Sequence, residues 1–499
     1  MATTLATPGV YIEEKSSFGS SVVPVQTAIP AFIGYTSKAT RGSKDLTNVP
    51  TRISSLGQFE ELFGGAPTTK FNIESDDSAV GFKLSFVEET KFLLHSSMRL
   101  FYANGGADCY IVSVGGYDEK IDAAKLNDPK GGGLTALEKF MEPTIIVIPD
   151  AILLDENDCY SLQAAMLQHC GYKLKNRFAI LDVYEGAKER TFDDDDAIDK
   201  FRNGVGSNFL QWGASYYPFL NTTIVSKSEI DFTRIANLDG LSEVLSKEVA
   251  ENLEADNITA ARAEGITAEI DKIPDTTEPD AINSLNSTLT VISPSLNLIL
   301  AEVSEMLNVL PPSPAMAGAY AMVDNQASVA QSPANISLGS VIAPVVNINN
   351  DNQEELNLPL NGKAVNAIRT FQGKGVLVWG ARTLEGNSKD YRYVSVRRTM
   401  TFLEQSIKAA AEAFVFAPNN ATTWSTLRAT VSSFLTNQWQ SGLLAGQSAD
   451  DAFSVDIGLG ATMTPNDILD GILKMTVKVA ITRPAEFIVI TFEQQQQKS

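Results

Sequence analysis

The sequence predicts an α/β fold, in which helices cover both faces of a mostly parallel sheet. Short runs that are almost entirely apolar, such as PTIIVIPD (143–150) and NRFAILDVYE (176–185), alternate with stretches that have helical spacing. Strands that are apolar on both faces are typical of sheets covered by helices. Glycine turns separate the two kinds of element. With 499 residues, the chain is long enough for two or three domains.

Composition excludes several classes of function. The formal net charge is −21, which repels phosphate backbones, and no cluster of Lys and Arg reverses this locally, so we expect no nucleic-acid binding. The N-terminus lacks the pattern of a signal peptide, and no apolar run approaches the length of a membrane span. We therefore expect folding in the cytosol and no stable membrane insertion. The three cysteines share no close pair spacing, which argues against a disulfide framework.

Residues 1–24 are predicted to form an extended arm. A strand-like cluster precedes a Ser/Gly stretch, and it consists of Val10, Tyr11, Ile12 and Glu13. Twenty extended residues span about 65 Å, further than the width of one domain, so such an arm reaches a neighbouring molecule. The alternative is a frayed chain end.

The next two segments repeat an alternation of strands and helices. Residues 25–120 contain a strand (27–36), a short helix ended by glycines (53–65), helical spacing in 86–102, and a glycine turn followed by a strand (104–116). Residues 121–225 contain helix, strand, helix and strand, and a final apolar and aromatic run. The covered sheet makes a parallel arrangement the natural one.

Residues 226–310 differ in character and are predicted to form a helical insertion on the outer surface. They are rich in Ala, Glu, Asp, Leu and Ser and contain amphipathic stretches, and prolines follow them. Residues 311–360 then return to the middle domain. Within them, 341–360 is predicted to be strand-like with a polar, acidic loop.

Two apolar patterns stand out in the C-terminal part, 361–499. Between residues 473 and 482 apolar and polar residues alternate, which predicts a strand with one face buried in a core. After Arg483 and Pro484 comes a run that is apolar on both faces, and the proline makes a tight hairpin back onto the preceding strand less natural. We expect residues 485–499 to be a C-terminal arm that pairs elsewhere, through Phe487, Ile488, Val489, Ile490, Thr491 and Phe492.

A search for catalytic and metal-binding motifs finds no recognisable constellation. The sequence lacks phosphate-binding loops, a nucleophile elbow, HExxH and CxxC. The two histidines, His95 and His169, fall in predicted helices. His169, Cys170 and Cys159 lack the fourth ligand of a tetrahedral metal site. We therefore expect no catalytic site, no metal and no cofactor.

Two acidic features have ordinary structural interpretations as well as functional ones. The run 193–196 lacks the spacing of a calcium loop and is expected to be a solvated loop or a helix start. Asp182 ends a predicted strand, where α/β enzymes often place a catalytic acid. Without a partner in the sequence, it is expected to cap a helix or to bond a loop.

One predicted helix, residues 397–416, has a patterned charged face. Glu404, Lys408 and Glu412 are four residues apart and so share a face, opposite a set of apolar residues. This face is either a solvated surface with modest ion pairs or a contact for a partner protein.

Several short segments of the sequence resemble those of the tail sheath proteins of contractile phages and related contractile injection systems. They occur in order towards both ends of the chain: PGVYIEE (8–14), IPAFIGYT (29–36), FEELFGG (59–65), LFYANGGADCYIVSVG (100–115), PPSPAMAGAYAMVDNQASVAQSPAN (311–335), GKGVLVWGART (373–383), YRYVSVRRTMTFLEQSI (391–407) and RPAEFIVITFEQ (483–494). The resemblance covers about 1–115 and 311–494, and it does not extend to 226–310.

The resemblance implies a structural subunit rather than an enzyme. Members of this family form a helical tube of stacked hexameric rings around an inner tube, and contraction drives that tube through a target envelope. The implied α+β sheath fold has a core built from 25–120 and 361–484 and a subtilisin-like α/β domain in the middle. The arms of each subunit are similar to strands donated to neighbouring copies, and Glu404, Lys408 and Glu412 become a candidate face for the inner tube.

The same resemblance implies partners and a location. The partners are further copies of the chain, an inner tube protein, and baseplate and cap proteins. Assembly in the cytoplasm of the producing bacterium precedes incorporation into a virion tail or a released particle. The alternatives are an α/β hydrolase-like enzyme or binding protein with a helical insertion, and a sheath component of a type VI secretion system.

Overall fold

The computed structural model describes residues 22–76 and 81–490. Its strands are β1 (Pro30–Gly34), β2 (Thr40–Arg41), β3 (Lys44–Asp45), β4 (Thr51–Ile53), β5 (Phe71–Ser75), β6 (Phe82–Phe86), β7 (Cys109–Ser113), β8 (Ile145–Val147), β9 (Phe178–Asp182), β10 (Gly213–Tyr217), β11 (Leu220–Thr222), β12 (Val309–Leu310), β13 (Ile336–Ser337), β14 (Val341–Pro344), β15 (Asn366–Phe371), β16 (Gly375–Val378), β17 (Phe453–Ile457) and β18 (Met475–Val479).

The α-helices lie between these strands. They are α1 (Leu56–Phe63), α2 (Leu94–Ala103), α3 (Ala123–Leu126), α4 (Glu156–Gln168), α5 (Ala197–Gly204), α6 (Leu238–Glu254), α7 (Ala260–Ile270), α8 (Pro279–Ile292), α9 (Pro294–Leu307), α10 (Ser313–Gln326), α11 (Asn350–Asn357), α12 (Val394–Glu412), α13 (Ala421–Gln440), α14 (Ala449–Ala452) and α15 (Pro465–Leu469).

The chain divides into two compact units. Of the described residues, the large unit comprises 26–76, 81–398 and 483–490, and the small unit comprises 22–25 and 399–482. The boundary near residue 399 falls within α12. The boundary at 483 means that the C-terminal segment groups with the large unit although β18 belongs to the small one.

A nine-stranded sheet organises the large unit, in the order β13-β16-β15-β10-β9-β8-β1-β7-β4. The six strands from β7 to β15 in this order are parallel, as the apolar runs predicted. Antiparallel strands flank them on both sides. The strands β1, β7, β8 and β9 are buried along their whole length, so the sheet needs cover on both faces.

Alternate residues of each strand enter two different cores. Ala31 and Ile33 of β1 pack with α4 and α5 on one face, whereas Phe32 packs with α1, α2 and α10 on the other. All three residues are fully buried. The sheet is therefore the middle layer of a three-layer α/β structure, and the predicted fold class is confirmed.

The segment predicted to be a helical insertion forms α6 to α9, around a third core. That core also includes apolar residues of the β5–β6 hairpin, and the Asn237 amide bonds both the N–H and the C=O of Ile73. The two ends of the segment meet, because the Asn308 side chain bonds the N–H and the C=O of Val225 at 2.8 and 2.9 Å. The proposed domain boundaries, including 121–225 and 361–484, remain predictions.

The stretch after β14 corrects one expectation. Residues 341–360 were expected to contain an acidic loop, but 350–357 form α11. A capping box between Asn349 and Asn352 starts the helix, and Leu356 is fully buried. Short-range polarity suggested a loop, whereas this buried leucine and the cap stabilise a helix.

The small unit contains a ribbon of two antiparallel strands, β17 and β18. α13 buries Leu427, Val431 and Leu435 in this unit. The predicted alternation along β18 is present, since Thr476 and Lys478 are exposed. However, the apolar face of β18 is only half-buried rather than part of a closed core.

Candidate functional site

The acid at the end of a central strand is a helix cap. Asp182 is the last residue of β9. Its Oδ1 accepts a hydrogen bond of 2.8 Å from the backbone N–H of Ser313, and its Oδ2 accepts one from the Ser313 hydroxyl. Ser313 is the first residue of α10. Burial raises the pKa of Asp182 to about 7, against the opposing effect of these two hydrogen bonds. The expectation of a cap is confirmed.

The other residues considered for chemistry also have structural roles. His169 lies buried with its Nε2 2.7 Å from a guanidinium nitrogen of Arg177, where a metal would have to displace a cation. Cys159 and Cys170 are buried as well. Within residues 22–76 and 81–490, no group of three or more His, Cys, Asp or Glu side chains is placed to hold a metal ion.

The second histidine and the acidic run are likewise not assembled into a site. His95 is buried in α2, with its Nε2 3.4 Å from a carboxylate oxygen of Glu60. Asp196 caps α5 by accepting hydrogen bonds from the N–H groups of Ile198 and Asp199. The helix-start interpretation of 193–196 is therefore correct for Asp196.

The C-terminal segment is the most unusual exposed feature of the large unit. Phe487, Ile488, Val489 and Ile490 are 68, 77, 89 and 70% exposed, although such side chains are normally buried. No strand is formed by the described residues from 483 to 490. Thr491 and Phe492, the end of the predicted arm, lie outside the described residues.

One residue holds this segment to the large unit. Glu486 receives a bidentate pair of hydrogen bonds from Arg382, at 2.9 and 2.7 Å, and further bonds of 2.9 Å from Tyr393 and Asn357. Burial alone would raise the pKa of Glu486, but the hydrogen bonds from Arg382 and Asn357 hold it below its ordinary value. The carboxylate is therefore ionised at neutral pH and fixed by four donors.

The small unit offers an open strand edge. The N–H of Ala480 bonds the carbonyl of Ala452 on the β17 side, so the alternation of an antiparallel ladder directs the main chain of Met475, Val477 and Val479 the other way. Within the described chain the sheet has only these two strands. Main-chain groups on such an edge can pair with an added strand.

The patterned helix corresponds to α12, which begins at Val394 and ends at Glu412. Glu404, Lys408 and Glu412 are all exposed, whereas the apolar residues opposite them, Phe402, Leu403, Ile407 and Phe414, are buried. The predicted division into two faces is therefore present.

The N-terminal arm residues Val10, Tyr11, Ile12 and Glu13 lie outside the described residues. None of the helices in the described ranges has the length and apolar content that a membrane crossing requires.

The C-terminal part of the chain matches a known family. Residues 387–495 match the family model of the phage tail sheath C-terminal domain. The structure is similar over almost its whole length to the sheath complex of an extracellular contractile injection system, PVC, in the contracted state, with 27% identity and a TM-score of 0.60. That similarity covers 99% of each chain. The C-terminal part of the chain thus matches a phage tail sheath domain, and the whole chain is similar to a contractile sheath protein.

Two further structures are similar to this chain. The helical sheath of the anti-feeding prophage in the contracted state is 26% identical, with a TM-score of 0.61 and coverage of 99% of this chain and 100% of that chain. A chain of the six-fold symmetrised baseplate of the same particle is also 26% identical, with a TM-score of 0.59 and the same coverage. No curated protein matches. The matched family model and these structures are those of sheath and baseplate proteins, not of enzymes.

Sequence reasoning did not single out the pair Arg382 and Glu486. The two residues are 104 positions apart, and nothing in local periodicity connects them. The signal that could have identified them is that both lie in segments that resemble tail sheath proteins, GKGVLVWGART and RPAEFIVITFEQ.

We predict that Asp182→Asn changes the pH dependence of stability. Because the pKa is raised from 3.8 to about 7 in the folded state, this group's contribution to stability is present below its unfolded pKa and is lost as the pH rises through 7. Between pH 5 and 8, the free energy of unfolding should fall by about 2 kcal/mol more in the wild type than in the variant. Urea unfolding at both pH values measures this difference. Asp194→Asn, at an exposed position, should follow the wild type, and identical profiles for all three proteins would contradict the prediction.

Proposed function

We propose that this sheath protein polymerises into a helical tube of stacked hexameric rings around an inner tube, and that contraction of this polymer drives the inner tube through a target cell envelope. The carrying observation is the exposed apolar segment 487–490, attached to its own subunit at Glu486. The similarity to contractile sheath structures favours this function over the alternative of an α/β hydrolase-like enzyme or binding protein.

Copies of the chain are joined by exchanged strands in this proposal. The C-terminal arm, Phe487 to Phe492, leaves its own subunit and adds to a sheet of a neighbouring copy. An added strand of this length forms about four to six main-chain hydrogen bonds, each contributing about 0.5–1.5 kcal/mol. Burial of its apolar side chains adds to this. Such a link persists while the domains it joins rotate.

The open edge of β18 is the acceptor that the small unit offers. The half-buried side chains of Met475, Val477 and Val479 leave apolar surface for an arriving strand, and the main-chain groups of the same residues face the open edge. The N-terminal arm, Val10 to Glu13, is the second donated strand in the proposal. Its apolar residues have the strand-like pattern that such an addition requires.

The interfaces along the tube are heterologous, because a donated strand and its acceptor are different surfaces of the chain. Heterologous contacts that do not close produce a filament. Contraction then corresponds to a change between two packings of the same folded subunits, with free energy stored in the extended one. The similar structures of PVC and the anti-feeding prophage are described in the contracted state.

The partners follow from this architecture. The exposed face Glu404, Lys408 and Glu412 of α12 contacts the inner tube protein in our proposal. Baseplate and cap proteins end the tube, and one similar chain belongs to a six-fold symmetrised baseplate. We propose assembly in the cytoplasm of the producing bacterium, followed by incorporation into a virion tail or a released particle.

The α6–α9 segment, part of 226–310, is proposed to lie on the outer surface of the tube. Its support is that the segment packs around a core separate from the two cores of the central sheet, and that Val225 and Asn308 hold its two ends together. A segment with these properties can change in sequence or length without disturbing the central sheet.

The arm is tested by Val489→Pro. Proline removes an N–H donor and resists strand pairing, and Val489 is 89% exposed, so the subunit itself should fold normally. We expect an unchanged melting temperature and a loss of tubes in negative-stain images. Val489→Thr keeps the donor and should still polymerise. Tubes formed equally by the proline variant would refute strand donation by this segment.

The tube face is tested by reversing one charge. Lys408→Glu should leave polymerisation intact, since the arms are unchanged, but should weaken co-assembly with the inner tube protein in a pelleting assay by about tenfold, because a contact charge is reversed. Asp450→Lys, an exposed reversal on another element of the small unit, serves as the control. Equal co-assembly by both variants would remove α12 from the tube contact.

The outer position is tested by replacing residues 226–307 with a short Gly/Ser linker. This deletion would expose four apolar residues of the β5–β6 hairpin, and the same variant replaces them with polar residues. They are Phe71, Ile73, Phe82 and Leu84. We expect tubes of reduced diameter in negative-stain images. A folded variant that fails to form tubes would show that this segment contributes to the contacts between subunits.

A further inference from the structure

The Glu486 carboxylate occupies a pre-formed socket. Arg382 donates through Nε and Nη2, at 2.9 and 2.7 Å, and the socket is completed by the Tyr393 hydroxyl and the Asn357 amide. The Arg382 side chain is 1% exposed and that of Glu486 is 21% exposed. Charge-assisted hydrogen bonds in such a sheltered place are stronger than those at the surface.

The socket is connected to the middle of the central sheet. The backbone N–H of Arg382 bonds the side-chain oxygen of Asn366 at 2.7 Å, and the amide nitrogen of Asn366 bonds the carbonyl of Ser215 at 3.1 Å. Asn366 begins β15 and Ser215 lies in β10, which are neighbouring parallel strands. The remaining guanidinium nitrogen of Arg382 bonds the carbonyls of Asn357 and Gly386 at 3.2 and 3.3 Å.

The socket does not bury the residues that follow Glu486. Phe487 to Ile490 remain exposed apolar residues, so the pair does not serve to fold this segment onto its own subunit. What it does fix is the place where the segment leaves the large unit. A second salt bridge nearby, between Arg483 and Asp390, is long at 3.9 Å and exposed, and contributes little.

We propose that the socket of Arg382 around Glu486 anchors the C-terminal arm, so that the pull of a neighbouring copy on the captured arm passes into the central sheet. This inference rests on the proposed function, since the partner is a second copy of this chain. Fixing the first residues of the arm also reduces the conformational entropy that capture would cost. Without the anchor, the residues that join a captured arm to the large unit would be free to move, and the pull would not pass into the sheet.

The test compares Glu486→Gln and Glu486→Ala with Arg483→Gln, which removes the exposed pair at the same place. In unassembled full-length protein, chymotrypsin cleavage after Phe487 requires residues 484–490 to lie extended in the protease, which the socket prevents. Mass spectrometry follows the loss of residues 488–499. We expect both Glu486 variants to be cleaved at least about tenfold faster, the equivalent of one lost charge-assisted hydrogen bond. Tyr393→Phe should give an intermediate rate, and Arg483→Gln the wild-type rate.

Assembly is measured on the same proteins by pelleting and negative-stain microscopy. The Glu486 variants should need about tenfold more protein to form tubes. Unchanged cleavage, or faster cleavage with unchanged assembly, would overturn the proposal. So would a large fall in melting temperature with unchanged cleavage, because it would show a role in folding alone. If the wild type forms no tubes, the proposed function fails, whereas the cleavage rates still decide whether Glu486 holds the arm.

Discussion

A strand edge and an apolar segment that have no partner within the described chain are the constraint on which the structure depends. The open edge belongs to β18 in the small unit, and the exposed segment 487–490 belongs to the large one. Each is unfavourable in water, since main-chain groups and apolar side chains both gain by being paired or buried. A single copy therefore leaves both the strand edge and the apolar segment unsatisfied, and in our proposal a second copy satisfies them.

The large unit supplies the stiffness that the proposed exchange of strands between copies requires. Its central sheet is covered on both faces, with residues of the same strand entering opposite cores. Close-packed interiors of this kind deform little. Polar groups at the margins of the sheet hold its helices in place. Asp182 accepts hydrogen bonds from the first residue of α10, and Glu355 of α11 binds Arg190 and Arg202. These contacts link helices to the sheet and to one another.

Much of this structure could be predicted from the sequence, because its signals are local. The apolar runs around residues 145 and 178 predicted buried parallel strands, the alternation along 473–482 predicted β18, and the four-residue spacing of charges predicted the exposed face of α12. The misassigned acidic loop at α11 shows the limit of such reasoning, since burial of Leu356 depends on contacts that polarity alone does not reveal.

The features that the sequence did not predict are those that join distant positions. The hairpin β5–β6 shares a core with helices more than 140 residues later in the chain, and Glu486 enters a socket built from Asn357, Arg382 and Tyr393. No periodicity encodes such pairs, because they are set by the tertiary fold. The donated arms and the tube face remain proposals for the same reason: their partners belong to other molecules.

The burial of all three cysteines has a consequence for the life of the particle. Cys109, Cys159 and Cys170 are each enclosed in the large unit, and burial raises the pKa of Cys109 and Cys170 to about 12. Thiols that are both shielded and protonated react slowly with oxidants. If the protein assembles inside the cell and is then released, as we propose, its subunits would enter an oxidising medium without forming covalent cross-links between copies. Cross-links of that kind would prevent subunits from moving past one another.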